Sequence, residues 1–138
     1  MTDVRALTNR LGRGATWLLA SALVCVLTAC GGSSATERAA SEMTGGGVPS
    51  RGRAKISKYG CHTCHTIPGV VGADSLVGPD LTRVASRTYI AGVLTNSPEH
   101  MMRWIRDPRG VDQLTAMPNL GVSAEDARDI ASYLYTLK

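Results

Sequence analysis

Hydrophobic and polar positions split the 138-residue chain into three unequal stretches. Ala15 to Ala29 is a largely apolar run of 15 residues, preceded by Arg5, Arg10 and Arg13. A positive segment leading into an apolar one, short of the ~20 residues a membrane-spanning helix needs, predicts an export signal over residues 1–29. From Gly31 to about Ser50 the sequence turns to Gly, Ser, Ala, Thr and Glu, with Gly45-Gly46-Gly47 and Pro49. That composition offers too little apolar surface to pack, so residues 30–51 read as a flexible tether. Some twenty residues of coil at ~5–6 Å × √n give a reach of roughly 25 Å.

Helical spacing dominates residues 52–138, which show no internal repeat and have the length of one domain. Gly52 to Tyr59 predicts a short helix with Ala54 and Ile56 as inward candidates. Residues 69–81 are rich in Gly and predict a loop whose backbone approaches its neighbours closely. Ser97-Pro98-Glu99 combines an N-cap, a proline at the first helical position and an acid in the first turn, so a helix starts at Pro98. It ends near Arg106, before Asp107-Pro108, with Met101, Trp104 and Ile105 on one face. Ser123 caps a last helix that carries Glu125 and Asp126 early, and Ala127, Ile130, Ala131, Leu134 and Leu137 form its inward stripe. The fold class is all-α.

Charge removes one class of partner. Residues 30–138 hold 12 basic and 10 acidic side chains, or +2 of the chain's formal +4. The high isoelectric point therefore belongs largely to the leading segment and does not argue for nucleic-acid binding, which needs a basic stripe on the folded domain. Two local clusters, Arg51, Arg53, Lys55 and Lys58, then Arg103, Arg106 and Arg109, are candidates either for steering a docking partner or for solvated helix faces.

The chemistry is concentrated in Cys61-His62-Thr63-Cys64-His65. Two cysteines three apart, with a histidine directly after the second, form the attachment signature of c-type haem. On one turn both sulfurs can point the same way and form thioethers to the two vinyl groups of one porphyrin edge, with His65 as the proximal axial ligand. His62 is then a solvent-facing spacer. A zinc ribbon would need a second ligand pair, whereas Cys25 and Cys30 lie in the apolar segment and His100 stands apart. A thioredoxin-like dithiol would need a βαβ pattern around the motif, and the flanks carry Gly, Pro and helical stretches instead. A domain this small buries a modest core, so the haem is expected to supply much of its apolar centre.

Leu27-Thr28-Ala29-Cys30 resembles the bacterial lipobox, which implies cleavage before Cys30, a lipid on its sulfur and anchoring on the periplasmic side of a bacterial membrane. Cys25 would then be discarded, leaving one haem pair and no disulfide framework. Two or more acyl chains give stable attachment where one is marginal.

Residues 52–138 resemble class I cytochrome c, through Cys61-His62-Thr63-Cys64-His65, Gly78-Pro79-Asp80-Leu81, Trp104-Ile105-Arg106-Asp107-Pro108, Thr115-Ala116-Met117-Pro118 and the closing Tyr133-Leu134. Among subfamilies the chain is most similar to the cytochrome c domain fused to subunit II of bacterial haem-copper oxidases. The resemblance implies short helices wrapped around one covalent haem, with Met117 as the distal ligand. Met43, Met101 and Met102 are the competing methionines, and Met101 and Met102 sit in a helix where packing is the plainer role. It also implies that the Pro79 carbonyl orients His65, that Arg87, Thr115 and Asn96 meet a haem propionate, and that Trp104 lines the distal pocket. The chain has no Phe, so Ile56 or Tyr59 is expected where the family packs an aromatic between its first and last helices. The function so implied is a monomeric, non-enzymatic single-electron carrier, tethered to the membrane and passing electrons to a haem-copper oxidase, with no small-molecule substrate. The alternative is a sensor or enzyme in which Met117 leaves the iron and a peroxide or diatomic gas binds.

Overall fold

The last helix is the hub of the structure, and the other helices are placed by what they lay against it. The computed structural model describes residues 34–138; the predicted signal, Cys25 and Cys30 lie outside the described residues. The elements run α1 (Ala35–Met43), α2 (Pro49–Lys58), a 3-10 turn (Cys61–Thr63), a second such turn (Val84–Ser86), β1 (Tyr89–Ile90), β2 (Leu94–Thr95), α3 (Pro98–Arg106), α4 (Pro108–Val111) and α5 (Ala124–Leu134). Helices α1, α2 and α3 all pack on α5, giving a small, mostly α-helical domain. Among the described residues no helix is long and apolar enough to cross a membrane.

Helix ends follow the sequence signals. Ser123 Oγ accepts from the Asp126 amide at 3.1 Å and opens α5, and Ser97 Oγ accepts from the His100 amide at 3.3 Å and opens α3 behind Pro98. Met101, Trp104 and Ile105 are buried on α3, and Ala127, Ile130, Ala131 and Leu134 on α5. Each buried Ile or Leu of this kind contributes about 1.5–3 kcal/mol of apolar transfer.

The N-terminal part departs from the expected tether. Residues 34–51 hold helix α1 and the start of α2, and the compact unit begins at Ser34 rather than at residue 52. A capping box starts α1: Ser34 Oγ accepts from the Glu37 amide at 3.2 Å, and Glu37 Oε2 accepts from the Ser34 amide at 2.9 Å. Polar bonds and close backbone approach replace the missing apolar area. Ser132 Oγ donates to Gly47 O at 3.1 Å. The buried Asp129 carboxylate takes the Val48 amide at 2.8 Å and Arg51 Nε at 2.7 Å. Gly52 makes the tightest contact, since a Cβ there would lie 2.0 Å from Asp129 O. This glycine lies at the helix crossing, and Ile56, one turn on, is fully buried, as one of the two residues expected there in place of an aromatic. Ala54 is exposed instead of inward, and Tyr59 reaches α5 through its hydroxyl, which donates to Asp126 Oδ2 at 2.6 Å.

The segment 87–97 is also not helical. Strands β1 and β2 form a two-stranded antiparallel hairpin pairing Tyr89 with Thr95 and Ile90 with Leu94. Its turn places Ala91 at φ 51 and Gly92 at φ 77, the pair of left-handed residues that a type I′ turn requires.

Candidate cofactor site

Helix α2 stops at Tyr59, and Gly60, at φ 74, reverses the chain into the Cys61–Thr63 turn. Thr63 Oγ1 donates back to Gly60 O at 2.8 Å, and the Cys64 and His65 amides both donate to Cys61 O, at 3.3 and 3.1 Å. This local closure brings Cys61, Cys64 and His65 onto one wall of a cavity of about 590 Å³, within the 300–1,000 Å³ usual for ligand pockets. The Gly-rich loop is pinned beside it by Gly78 N–H on Cys64 O at 2.6 Å and Leu81 N–H on Thr66 O at 2.9 Å. Gly78 lies against the His65 ring: a Cβ there would be 2.6 Å from Cε1.

His65 Nδ1 sits 2.7 Å from Pro79 O. A carbonyl can only accept, so Nδ1 carries the proton and Nε2 keeps its lone pair free for a ligand. Arg87, Trp104, Thr115 and Met117 line the same cavity, as does Pro79. Thr115 Oγ1 accepts from the Met117 amide at 3.2 Å and so shapes the loop that presents this methionine. Met117 is half-buried in that loop. Met101 also reaches the cavity, but from α3 and 2% exposed, packed in the core; Met102 lies elsewhere, and Met43 is half-exposed on α1.

Three expectations meet a different placement. Asn96 does not line the cavity; its amide nitrogen donates to Val84 O at 2.9 Å and Arg87 O at 2.8 Å, and its oxygen accepts from Tyr135 Oη at 2.7 Å. With those groups used inside the fold, it is not free to meet a propionate. His62 is half-buried rather than solvent-facing, with a buried Nδ1 that has no partner, and it lies off the cavity wall. Neither basic cluster lines the cavity. Arg51 pairs with Asp129 at 2.7 Å, Lys55 with Asp126 at 2.7 Å and Lys58 with Asp126 at 3.7 Å, because α2 lies along the acidic side of α5. Arg103 and Arg106 line a separate shallow groove with Arg128.

Those ion pairs perturb both helices. The Asp126 carboxyl is held below its ordinary pKa by the bonds from Lys55 and then Tyr59. At Asp129 burial pushes upward, and the bonds from Arg51 and the Val48 amide outweigh it, so this pKa too is lowered.

Much of the wall comes from residues that no motif marks. Ile67, Val84, Ile90, Leu120 and Val122 complete it together with Ile130 and Leu134 of α5. The inward stripe of α5 was legible by its spacing, whereas the others come from loops, a single 3-10 turn and a two-residue strand, all too short to show periodicity.

Among the described residues no group of three or more His, Cys, Asp or Glu side chains could hold a metal ion. Cys61 and Cys64 are free thiols, and burial pushes the Cys61 thiol up. What the walls define is a helical domain with a cofactor-sized apolar cavity, two thiols and an imidazole on one side and a loop thioether among the remaining lining.

No family model matches the chain, and no solved structure matches it. The chain is similar to cytochrome c oxidase subunit 2 of Alkalihalophilus pseudofirmus (strain ATCC BAA-2126 / JCM 17055 / OF4), at 36% identity over 92 residues, which cover 66% of this chain and 26% of that protein. The chain thus spans about a quarter of the length of the curated relative it matches.

Proposed function

We propose that this chain is a class I cytochrome c, an electron carrier that holds one haem c in the cavity. The carrying observation is that Cys61, Cys64, His65 and Met117 all line one apolar cavity whose Gly78-Pro79 wall seats the imidazole and bonds its Nδ1. The residues fit the group: two unpaired thiols three residues apart line one cavity, Nε2 has a free lone pair, and the Trp104 indole N–H and the Arg87 guanidinium on the lining are donors suited to propionates.

When bound, the haem iron supplies a one-electron couple. Cys61 and Cys64 would hold the ring covalently, and Pro79 O fixes the orientation and basicity of His65. Met117 would offer the iron a soft thioether donor, which favours the reduced state. It is preferred to Met101 because a half-buried loop side chain can turn to a ligand, whereas Met101 is locked in helix packing. The apolar lining excludes water and limits reorganisation on electron transfer.

The similarity to an oxidase subunit supports a haem-copper oxidase as electron acceptor. A lipid on Cys30, after removal of residues 1–29, would keep the domain at the periplasmic membrane surface as a monomer. The optical spectrum with and without carbon monoxide tests the central reading. A six-coordinate ferrous haem that ignores the gas, with a far-red sulfur-to-iron band lost in Met117→Ala and kept in Met101→Ala, is expected. Ready gas binding would move the chain to the sensing or catalytic class, and loss of the band only in Met101→Ala would reassign the ligand. Mass spectrometry of the N-terminal peptide tests Cys30, and an unmodified cysteine would end the lipid reading. Oxidation of the reduced protein by purified oxidase from the same cells tests the acceptor, and negligible turnover would exclude it.

A further inference from the structure

Arg87 stands on the cavity wall in a segment with only a single 3-10 turn of its own, Val84–Ser86. Asn96 holds that segment. Its side-chain nitrogen donates to Val84 O at 2.9 Å and Arg87 O at 2.8 Å, and its backbone amide donates to Thr88 O at 2.9 Å. Tyr135, 5% exposed, donates its hydroxyl to Asn96 Oδ1 at 2.7 Å and so ties this brace to the end of α5. From the other side, the Arg87 guanidinium donates to the carbonyl of Asp80. Asp80 directly follows Pro79, whose carbonyl takes the His65 Nδ1–H at 2.7 Å. Three hydrogen bonds, joined by the Arg87 side chain and by the Pro79-Asp80 backbone, therefore link Asn96 to His65, and Tyr135 adds a fourth at the far end.

We infer that Tyr135 and Asn96 are positioning residues for His65: through Arg87 they fix the carbonyl that orients the imidazole and sets its donor strength. The inference rests on the reading of His65 as an iron ligand. An asparagine whose two donors and one acceptor are engaged in a partly buried setting admits one arrangement of its neighbours, since any other would leave polar groups unpaired. Arg87 is thereby held where it can restrain Asp80. Among the described residues the polar contact of the imidazole is Pro79 O, so a shift of that carbonyl bears directly on His65. The phenol of Tyr135 is the one hydroxyl that connects this loop system to α5 through Asn96 among the described residues.

The test uses the haem-loaded protein and the His65 Nδ1–H proton followed by NMR. Tyr135→Phe removes only the hydroxyl, and solvent exchange of that proton should accelerate roughly fivefold, the size of one net hydrogen bond. The midpoint potential should rise, because a loosened Nδ1–H bond makes the imidazole a weaker donor to the oxidised iron. Ser132→Ala is the control, since it removes a hydroxyl bond of α5 to Gly47 O that lies outside this chain of contacts. It should leave both readouts at their original values. If Tyr135→Phe changes exchange and potential no more than Ser132→Ala does, the positioning role is overturned. The iron-induced shift of the same proton reports ligation separately: its absence would refute His65 as a ligand, while the exchange ratio alone judges the brace.

Discussion

Replacing Gly78 by Ala should disturb His65 more than any other single methyl added near the cavity. An added Cβ would lie 2.6 Å from His65 Cε1, 2.8 Å from Nδ1 and 3.1 Å from Nε2, where ordinary contact begins at 3.4 Å. About 0.8 Å must therefore be found, by the difference of those two distances. The loop cannot easily retreat, because the Gly78 amide donates to Cys64 O at 2.6 Å. The ring must turn, which strains its bond to Pro79 O, worth ~0.5–1.5 kcal/mol net, and adds ~0.5–1.5 kcal/mol of off-rotamer energy. The expected loss is about 2 kcal/mol, or roughly 8–16 °C in Tm for a domain of this size. Thermal unfolding of the haem-loaded variant measures the loss, and NMR follows the His65 Nδ1–H proton. A Tm within about 2 °C of the parent, with that proton still protected, would refute the steric argument.

Gly52→Ala should also destabilise. Although Ala in a helix gains ~1 kcal/mol over Gly, the new methyl would meet Asp129 O at 2.0 Å and force α2 from α5, so a net loss of roughly 2 kcal/mol is expected in denaturant titration. Ala91→Gly should go the other way by about 0.5–1 kcal/mol, because Ala91 holds φ 51 without the freedom of glycine; an unchanged unfolding midpoint would count against strain there. The acid limb of stability should follow Asp126 and Asp129. Their folded-state pKa values are lowered, so their contribution is complete above the unfolded value near pH ~4 and is lost as pH falls through the folded ones. Asp129→Asn should flatten that limb in unfolding curves taken from pH 6 downwards. At the alkaline end, Tyr135 is pushed up to about 12 by burial and then by Glu99. Its stabilising contribution is present below pH ~10 and lost as pH rises towards its folded value, and the absorbance of its phenolate should appear late in a titration.

What could be read from the sequence was what is local. The haem motif occupies five consecutive residues, and the caps at Ser97 and Ser123 act within one turn, so both were visible without knowing the fold. The brace of Asn96 was not, because its partners Val84, Arg87 and Tyr135 share no spacing with it. The fate of Arg51 and Lys55 was hidden for the same reason: their carboxylates lie more than seventy residues on. Helix α1 escaped notice because the stretch around it offers little apolar surface, and Gly47, which read as part of a flexible coil, serves as a seat for the backbone and side chains of α5. A run of small residues looks alike whether it is loose or tightly apposed, and only the partner surface decides.

The packing of α1 changes the mechanics of any anchor at Cys30. Three residues, Gly31 to Ser33, separate that cysteine from Ser34, where the compact unit begins. Four residue steps span at most about 14 Å fully extended, against the roughly 25 Å of a twenty-residue coil. Such a leash would confine the domain to a shell about a sixth of the volume, raising its local concentration for a partner lying flush with the bilayer and abolishing contact with one whose electron port stands higher. Carriage between complexes would then depend on lateral drift of the lipid, and a spacer inserted ahead of Ser34 would extend the range of partners while diluting each encounter.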